Sequence, residues 1–498
     1  MNEPSQEQQF VIDKLKEGCN VICSAVAGSG KSSTILSAAK QLPDKHILQL
    51  TYNSELRAEN IEKVNSMKLT NIEVHTFHSL GYHYYSKECN TDTGIRKVLH
   101  NNTKPVRTIP KFEICMLDEY QDNTNLYCRL IRKFIEDAGN SVQLLILGDA
   151  RQSLYEFKGS DSRFLSLGDK IWGNFPFLKG SQFIHCTLKM SYRITDHISS
   201  FVNKTMLGEN LMLSCKSGEP IVYYRGSPHN TGKYIVHNIN QLLDAGVNPN
   251  DIFILSASVK SPIVKTIENT LVTNNIPCYV PTYDIGKLDK RIINGKVVFS
   301  TFHSSKGRQR PYVFVLGFDN DYYKRFARNE SDTSKCPNVF YVATTRASYK
   351  LFVVEFENNR YSRPLNFLKM NHHEMSRTDF IDFKGVPRKI FETEPDNKDE
   401  DLIKTRRIRG SELVNFIPDP IIEEISPIIE RIFKPGSPIS NLISELEIPN
   451  IIQTQQGLFE GVSDLNGIAI PCMFYDQLYN EFTPEKENPG NILLNRIH

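Results

Sequence analysis

Residues 20–36 read Asn20-Val-Ile-Cys-Ser-Ala-Val-Ala-Gly28-Ser-Gly30-Lys31-Ser32-Ser-Thr-Ile-Leu36: an apolar run, a glycine-punctuated turn and a helix start in immediate succession. The run NVICS has the texture of a strand buried on both faces, as strands of a parallel sheet are. The stretch SSTILSAAKQL that follows the turn carries apolar residues at helical spacing. Between them, Gly28 and Gly30 let backbone N–H groups turn inward, and the helix N-terminus adds the positive end of its dipole. Together these make a cradle for phosphate oxygens. Lys31 is then placed to reach the outer phosphates of a nucleotide, and the Ser32 hydroxyl to ligate magnesium. A plain glycine turn ahead of a helix would need neither the Lys-Ser pair nor a strand and a helix on its correct sides. The predicted loop runs through Ala25, Val26, Ala27, Gly28, Ser29, Gly30, Lys31, Ser32 and Ser33.

Working outward, the first 180 residues repeat the pattern with HILQLT, FEICMLDE and VQLLILGD, each followed by a polar turn and a helix-period segment. A second series starts near Phe183 and includes DIFILSAS, KVVFST, YVFVLGF and KLFVVE. Strands alternating with helices predict an α/β protein with two parallel sheets. Asp118 and Glu119 close the apolar run FEICML. The carboxyl end of a strand is where an open parallel sheet presents its ligand-binding groups. Asp118 is therefore expected to bind magnesium, and Glu119 to orient and deprotonate an attacking water. An exposed acidic pair is the bland alternative; a position behind a buried run and downstream of a phosphate loop favours chemistry. The expectation is an NTP hydrolase.

Composition sets the outer bounds. The chain of 498 residues has roughly three domains' worth of sequence. Its formal net charge of +2 excludes a histone-like polycation but leaves room for a local basic groove. At 40% hydrophobic and 23% charged residues it is an ordinary globular sequence. No stretch approaches the roughly 18 consecutive apolar residues of a membrane-spanning helix, and MNEPSQEQQF has no signal-peptide core. The ten cysteines form no C-x-x-C pair, which argues against a zinc or iron–sulfur site. The adjacent His372 and His373 cannot share one face of a helix or strand, so they make a poor metal pair. These features predict an intracellular protein, in nucleus or cytoplasm, without a membrane partner.

After Phe356 come polar clusters, prolines and the charged stretch EPDNKDEDLIK. The predicted organisation is a first domain over 1–182, a second over 183–357, a linker or extension over 358–404 and a small C-terminal α+β region over 405–498. Within the last, LFEGVSDL and GIAIPCMFY flank Asn466-Gly467, a good two-residue hairpin turn.

The run DEYQD at 118–122 resembles the DExQD box of UvrD/Rep-type superfamily 1 helicases, and the resemblance continues in order across roughly residues 1–355. TYN at 51–53 follows a strand, as the family's first DNA-contacting motif does. Thr76-Phe77-His78-Ser79-Leu80 is similar to TFHGL. Gly148 to Tyr155 is similar to GDxxQSIY and is continued by Phe157-Lys158-Gly159. Ser191-Tyr192-Arg193 resembles NYR, Thr301 to Gly307 resembles TLHSAKG, and Tyr341 to Ala347 resembles YVAxTRA.

The resemblance implies two RecA-like P-loop NTPase domains with ATP and Mg2+ between them. It implies that Lys31, Glu119, Gln152, Arg193 and Arg346 are catalytic, the two arginines as fingers on the γ-phosphate. Gln8 would read the adenine edge, Tyr192 would stack on the base, and Ser32 and Asp118 would hold the metal. Single-stranded DNA would cross both lobes on Tyr52, Thr76, His78, Tyr155, Phe157 and His303. Phe77 is as much a core candidate as a DNA contact. The implied activity is 3′–5′ unwinding of tailed duplex DNA, of use in repair, replication or recombination, with residues 405–498 open to a loading partner.

Two departures from the family pattern matter. SKGRQR stands where the family reads AKGLEF, so Gln309 replaces a ribose-contacting glutamate and Arg310 an aromatic. The segments between His78 and Asp118, and between Val280 and Thr301, are too short for large accessory domains. That leaves two further readings: a translocase or protein-stripping motor without intrinsic unwinding, and a non-motor nucleic-acid scaffold.

Overall fold

The computed structural model describes residues 3–180, 182–281, 290–327, 332–357 and 365–385. Contacts divide the chain into two units, and almost all the described residues fall in the unit made of residues 1–326 and 332–388. Residues 405–498, with the predicted hairpin, lie outside the described residues.

The decisive stretch folds as expected, β1 (Asn20–Ala25) feeding the phosphate loop and then a helix, α2 (Lys31–Gln41). Around it a six-stranded sheet gathers β2 (Ile47–Thr51), β3 (Ile72–Thr76), β4 (Ile114–Leu117), β5 (Gln143–Gly148) and β6 (Phe183–Leu188). Their order is β3-β2-β4-β5-β1-β6, and every pairing is parallel. Because side chains alternate along a strand, each strand feeds two cores. Ile22, Leu48, Leu117, Leu144 and Ile146 face one, with α4 (Phe77–Tyr84), α5 (Asp92–His100) and α6 (Asn125–Ala138) packed on it. Val21, Cys23, Met116, Leu145 and Leu147 face the other, covered by α1 (Gln6–Lys16) and α2. This order sets β4, β5 and β1 side by side, so the groups that follow their carboxyl ends meet at one edge: Asp118, Asp149 and the phosphate loop.

A two-stranded pair, β7 (Met190–Ser191) and β8 (Leu213–Ser214), follows. The second large sheet holds β9 (Ile221–Gly226), β10 (Ile252–Ser256), β11 (Cys278–Tyr279), β12 (Val297–Thr301), β13 (Arg310–Leu316), β14 (Ala347–Phe356) and β15 (Ile381–Lys384). Its order is β11-β12-β10-β13-β14-β9-β15, again all parallel. The helices Pro228–Asp244 and Pro262–Thr273 bury Ile235, Ile239, Val264, Ile267 and Leu271 on one face. Two RecA-like domains of α/β class result.

Both expected domain boundaries move. The strand Phe183–Leu188, placed in the second domain by the sequence reading, pairs along its whole length with β1 of the first sheet. Apolar patterning identifies a strand but not the sheet it joins. Residues 365–385, assigned to a linker over 358–404, pack onto the second lobe through buried Leu365, Phe367, Met375, Phe380 and Ile381, and β15 pairs with β9. Short apolar pieces among polar residues masked this. His372 sits 2.7 Å from the buried Glu355 carboxylate, which also accepts a hydrogen bond from Tyr223 at 2.8 Å. The histidine belongs to a buried polar cluster. Among the described residues no group of three or more His, Cys, Asp or Glu could hold a metal, and no helix is long and apolar enough to cross a membrane.

Candidate functional site

The phosphate loop takes its shape from two left-handed glycines, Gly28 (φ 77°) and Gly30 (φ 85°). Both are also closely approached. A Cβ on Gly28 would lie 2.5 Å from Arg193 Cβ, and one on Gly30 2.6 Å from Gln8 Nε2. Gln8 is drawn into the loop: its Oε1 accepts from Ser5 N (3.0 Å) while its Nε2 donates to Ser29 O (3.2 Å). The backbone N–H of Tyr192 donates to Gly28 O at 2.9 Å, which holds its backbone beside the loop and leaves the side chain exposed. Ala25, Val26, Ala27 and Ser29 are buried, and Ser33 lies in the first turn of α2.

Lys31 opens α2, and its ammonium lies 3.4 Å from Glu119 Oε1. Burial would lower the Lys31 pKa, but the carboxylates of Glu119, Asp149 and Asp118 outweigh it and hold the group charged. Ser32 Oγ donates to Asp118 Oδ2 at 3.5 Å, and the Glu119 N–H donates to Asp118 Oδ1 at 3.0 Å. Burial and the neighbouring Glu119 push Asp118 upward. Such a buried carboxylate, next to a hydroxyl and facing the phosphate loop, suits a hard cation that completes its shell with water and phosphate oxygens. Glu119 has left-handed backbone (φ 53°), a strained conformation for a non-glycine residue. Burial acts against its charge, but Lys31, Lys306 and a 2.6 Å hydrogen bond from Gln121 Nε2 prevail and keep it ionised.

Two arginines face the site, Arg193 beside the phosphate loop and Arg346 from the second lobe. Arg346 is 1% exposed, and its guanidinium donates to Val342 O (2.9 Å), Arg308 O (3.3 Å) and Thr345 Oγ1 (3.3 Å). Arg193 Nη1 donates to Thr345 O at 3.4 Å, and its Nε is buried without a partner. Neither arginine forms an ion pair among the described residues. Burial lowers both, with Arg193 adding to the effect on Arg346, which falls to about 9. Two desolvated, mutually repelling cations with only neutral partners make a site for a polyanion. Gln152 donates through Nε2 to Asp149 Oδ2 at 2.9 Å, an oxygen that also accepts from Tyr341 Oη at 3.0 Å. Tyr341 Oη in turn accepts from Ala27 N at 3.3 Å, which ties the second lobe to the phosphate loop.

The proposed strand contacts separate into two groups. Tyr52 and Tyr155 stack in parallel with ring centroids 5.4 Å apart. Phe157 lies 6.2 Å from Tyr155, and His303 of the second lobe 6.1 Å from Phe157. This aromatic row spans both lobes, with Phe157 65% exposed and Lys158 Nζ 5.1 Å from the Tyr155 ring. Burial, Lys306 and Lys158 lower the His303 pKa, so its ring is neutral near pH 7. The others have local partners within the first lobe. Thr76 caps α4 by accepting from Ser79 N at 3.1 Å, and Phe77 is core, stacked on Tyr127 at 4.6 Å. His78 is held 2.9 Å from Asp92. Gln309 is exposed just before β13, and Arg310 lies over the Phe253 ring at 5.0 Å.

Sequence reasoning missed the residues that join the lobes. Lys306 reaches from the second lobe to the Asp122 carboxylate and the Gln152 carbonyl, with its ammonium 5.0 Å from the Tyr155 ring. It therefore touches the DEYQD box, the Gln152 loop and the aromatic row at once. Burial raises Asp122 to about 6 despite Lys306. Lys306→Met is expected to cost on the order of 3–5 kcal/mol by leaving Asp122 buried and uncompensated. The Lys306→Met/Asp122→Asn double variant should recover most of that loss in urea denaturation.

Comparisons with known proteins agree with this architecture. The model of the UvrD/REP helicase N-terminal domain matches residues 97–170, and that of the UvrD-like helicase C-terminal domain matches residues 284–358. DNA helicase II of Haemophilus influenzae is 25% identical over 174 residues, covering 34% of this chain and 22% of the relative. ATP-dependent DNA helicase PcrA of Bacillus subtilis is 28% identical over 170 residues, covering 32% and 21%. DNA helicase II of Salmonella typhimurium is 29% identical over 143 residues, covering 27% and 18%. The matched stretch spans about a fifth of the length of these curated relatives. With an N-terminal family domain matched on the first lobe and a C-terminal one on the second, in that order, the chain is similar to the UvrD-like superfamily 1 helicases over these two stretches.

Proposed function

We propose that the chain hydrolyses ATP between its two lobes and uses the cycle to move 3′ to 5′ along single-stranded DNA, separating strands at a tailed duplex. One observation carries this reading. Lys31, Asp118 and Glu119 of the first lobe lie at the phosphate loop, and the half-buried Arg193 beside that loop and the buried Arg346 of the second lobe meet there with neutral partners alone.

In this reading the loop N–H groups and Lys31 bind the phosphates, and Gln8 and Tyr192 are the candidates for the adenine edge and face. Glu119, kept ionised, accepts a proton from the attacking water, and Gln152 holds its loop against Asp149. A magnesium ion held by Ser32 and Asp118 would neutralise charge on the transferring phosphate. Arg193 beside the loop and Arg346 from the opposite lobe stabilise the same charge, so closure depends on the triphosphate and is released after hydrolysis.

The strand lies on the row Tyr52, Tyr155, Phe157 and His303, whose faces accept any base. Tyr155→Ala is expected to weaken single-strand binding by about 1–3 kcal/mol, or roughly 5- to 150-fold in Kd, measured by fluorescence anisotropy. A second reading, translocation without unwinding, is favoured by the brevity of residues 79–117, which add only the rest of α4, one short turn and α5 before β4. A 3′-tailed duplex assay separates the two: strand release supports the helicase, and stimulated hydrolysis without release supports the translocase.

A further inference from the structure

A groove on the first lobe lies outside the residues used above. α5 and α6 pack side by side, and the groove between them, of about 390 Å³, is lined by Arg96, Leu99, His100, Asn125, Leu126 and Arg129. Helical spacing explains the lining: Arg96 and His100 share a face of α5, as Asn125 and Arg129 share a face of α6. The two leucines pack against the lobe core and form an apolar floor, while the four polar side chains are exposed on its rim. No carboxylate lines the groove, and neither arginine has a carboxylate partner among the described residues. In a chain with a net charge of only +2 this is a local positive site.

The groove adjoins the DEYQD box and the segment that holds His78. α6 begins just after the DEYQD box, and Tyr127, beside Leu126, donates to Asp92, one turn before Arg96. That same Asp92 oxygen holds His78.

We propose that this groove binds the sugar–phosphate backbone of nucleic acid beyond the aromatic row, with Arg96 and Arg129 on phosphates and Leu99 and Leu126 against sugars. The inference rests on the proposed nucleic-acid-binding function. The lining holds no Phe, Tyr or Trp, and its one imidazole, His100, sits on the exposed rim, so the contact is to the backbone and independent of sequence. Guanidinium groups match phosphate geometry.

The test is a salt titration of DNA affinity for the full chain and its Arg96→Ala/Arg129→Ala variant, on a single strand and on a 3′-tailed duplex. Loss of two phosphate contacts should flatten the slope of log K against log salt by about 1.4 on a single strand or about 1.8 on duplex. A change on both substrates assigns the groove to the strand, and a change on the tailed duplex alone assigns it to the duplex. Lys14→Ala/Lys16→Ala, at half-buried Lys14 and exposed Lys16 of α1, removes the same charge elsewhere. Equal flattening by that control, or an unchanged slope in the arginine variant while Tyr155→Ala still weakens binding, would overturn the proposal and leave the function intact. Failure of the unaltered chain to bind either DNA would instead overturn the function on which the proposal rests.

Discussion

Glu119→Gln is expected to lower single-strand-stimulated ATP hydrolysis by roughly 10²–10⁴-fold, the scale of a lost general base, while ATP binding persists. The amide keeps the size of the side chain and can still accept from Gln121, but it cannot take a proton from water. It also removes the charge that faces Lys31 at 3.4 Å and that helps push Asp118 upward. Nucleotide binding measured with a fluorescent ATP analogue should therefore be retained or tightened. Loss of binding together with turnover would mean that Glu119 supports the loop rather than the reaction. The left-handed backbone of Glu119 is independent of the side chain's charge, so the variant should leave the thermal midpoint nearly unchanged.

The second large effect is expected at Arg346. Arg346→Lys should reduce kcat by about 10³-fold or more, within the range that arginine fingers contribute, although a positive side chain remains. The guanidinium spreads its donors over Val342 O, Arg308 O and Thr345 Oγ1, and an ammonium has neither the planar fork nor the reach to reproduce them. The site is fully buried and already depresses the arginine, so a lysine there would tend to lose its proton. Part of the effect could come from damaged packing of the second lobe. Steady-state kinetics separate the causes: a finger lowers kcat with ATP affinity largely kept, whereas a packing defect lowers the thermal midpoint as well. Arg193→Ala should act on the same step, and the double variant should cost far less than the product of the two, as groups acting as one unit do.

What could be read from the sequence was local. The phosphate loop, Asp118 and Glu119 were legible because their geometry is dictated within a few residues by glycines, strand ends and a helix start. The row Tyr52, Tyr155, Phe157 and His303 was legible only through motif order, since nothing in four scattered rings announces that they line up. Phe77 and Thr76 carry local roles at the β3–α4 junction that motif order does not report: one completes the core and the other caps α4. Lys306, Asp122 and Tyr341 were missed because each acts on a residue more than a hundred positions away, where no periodicity reports. The same reason hid the pairing of β6 with β1 and of β15 with β9.

The most direct measurement is steady-state ATP hydrolysis by the purified chain as single-stranded DNA is titrated in, with Lys31→Ala beside it. Lys31 contacts Glu119 in the first lobe, while the strand row and the arginines span both lobes. The predicted result is a basal rate that rises and saturates with the strand and vanishes in Lys31→Ala. A rate that ignores the strand, or one that survives the loss of Lys31, would contradict a motor whose lobes close on ATP and nucleic acid together.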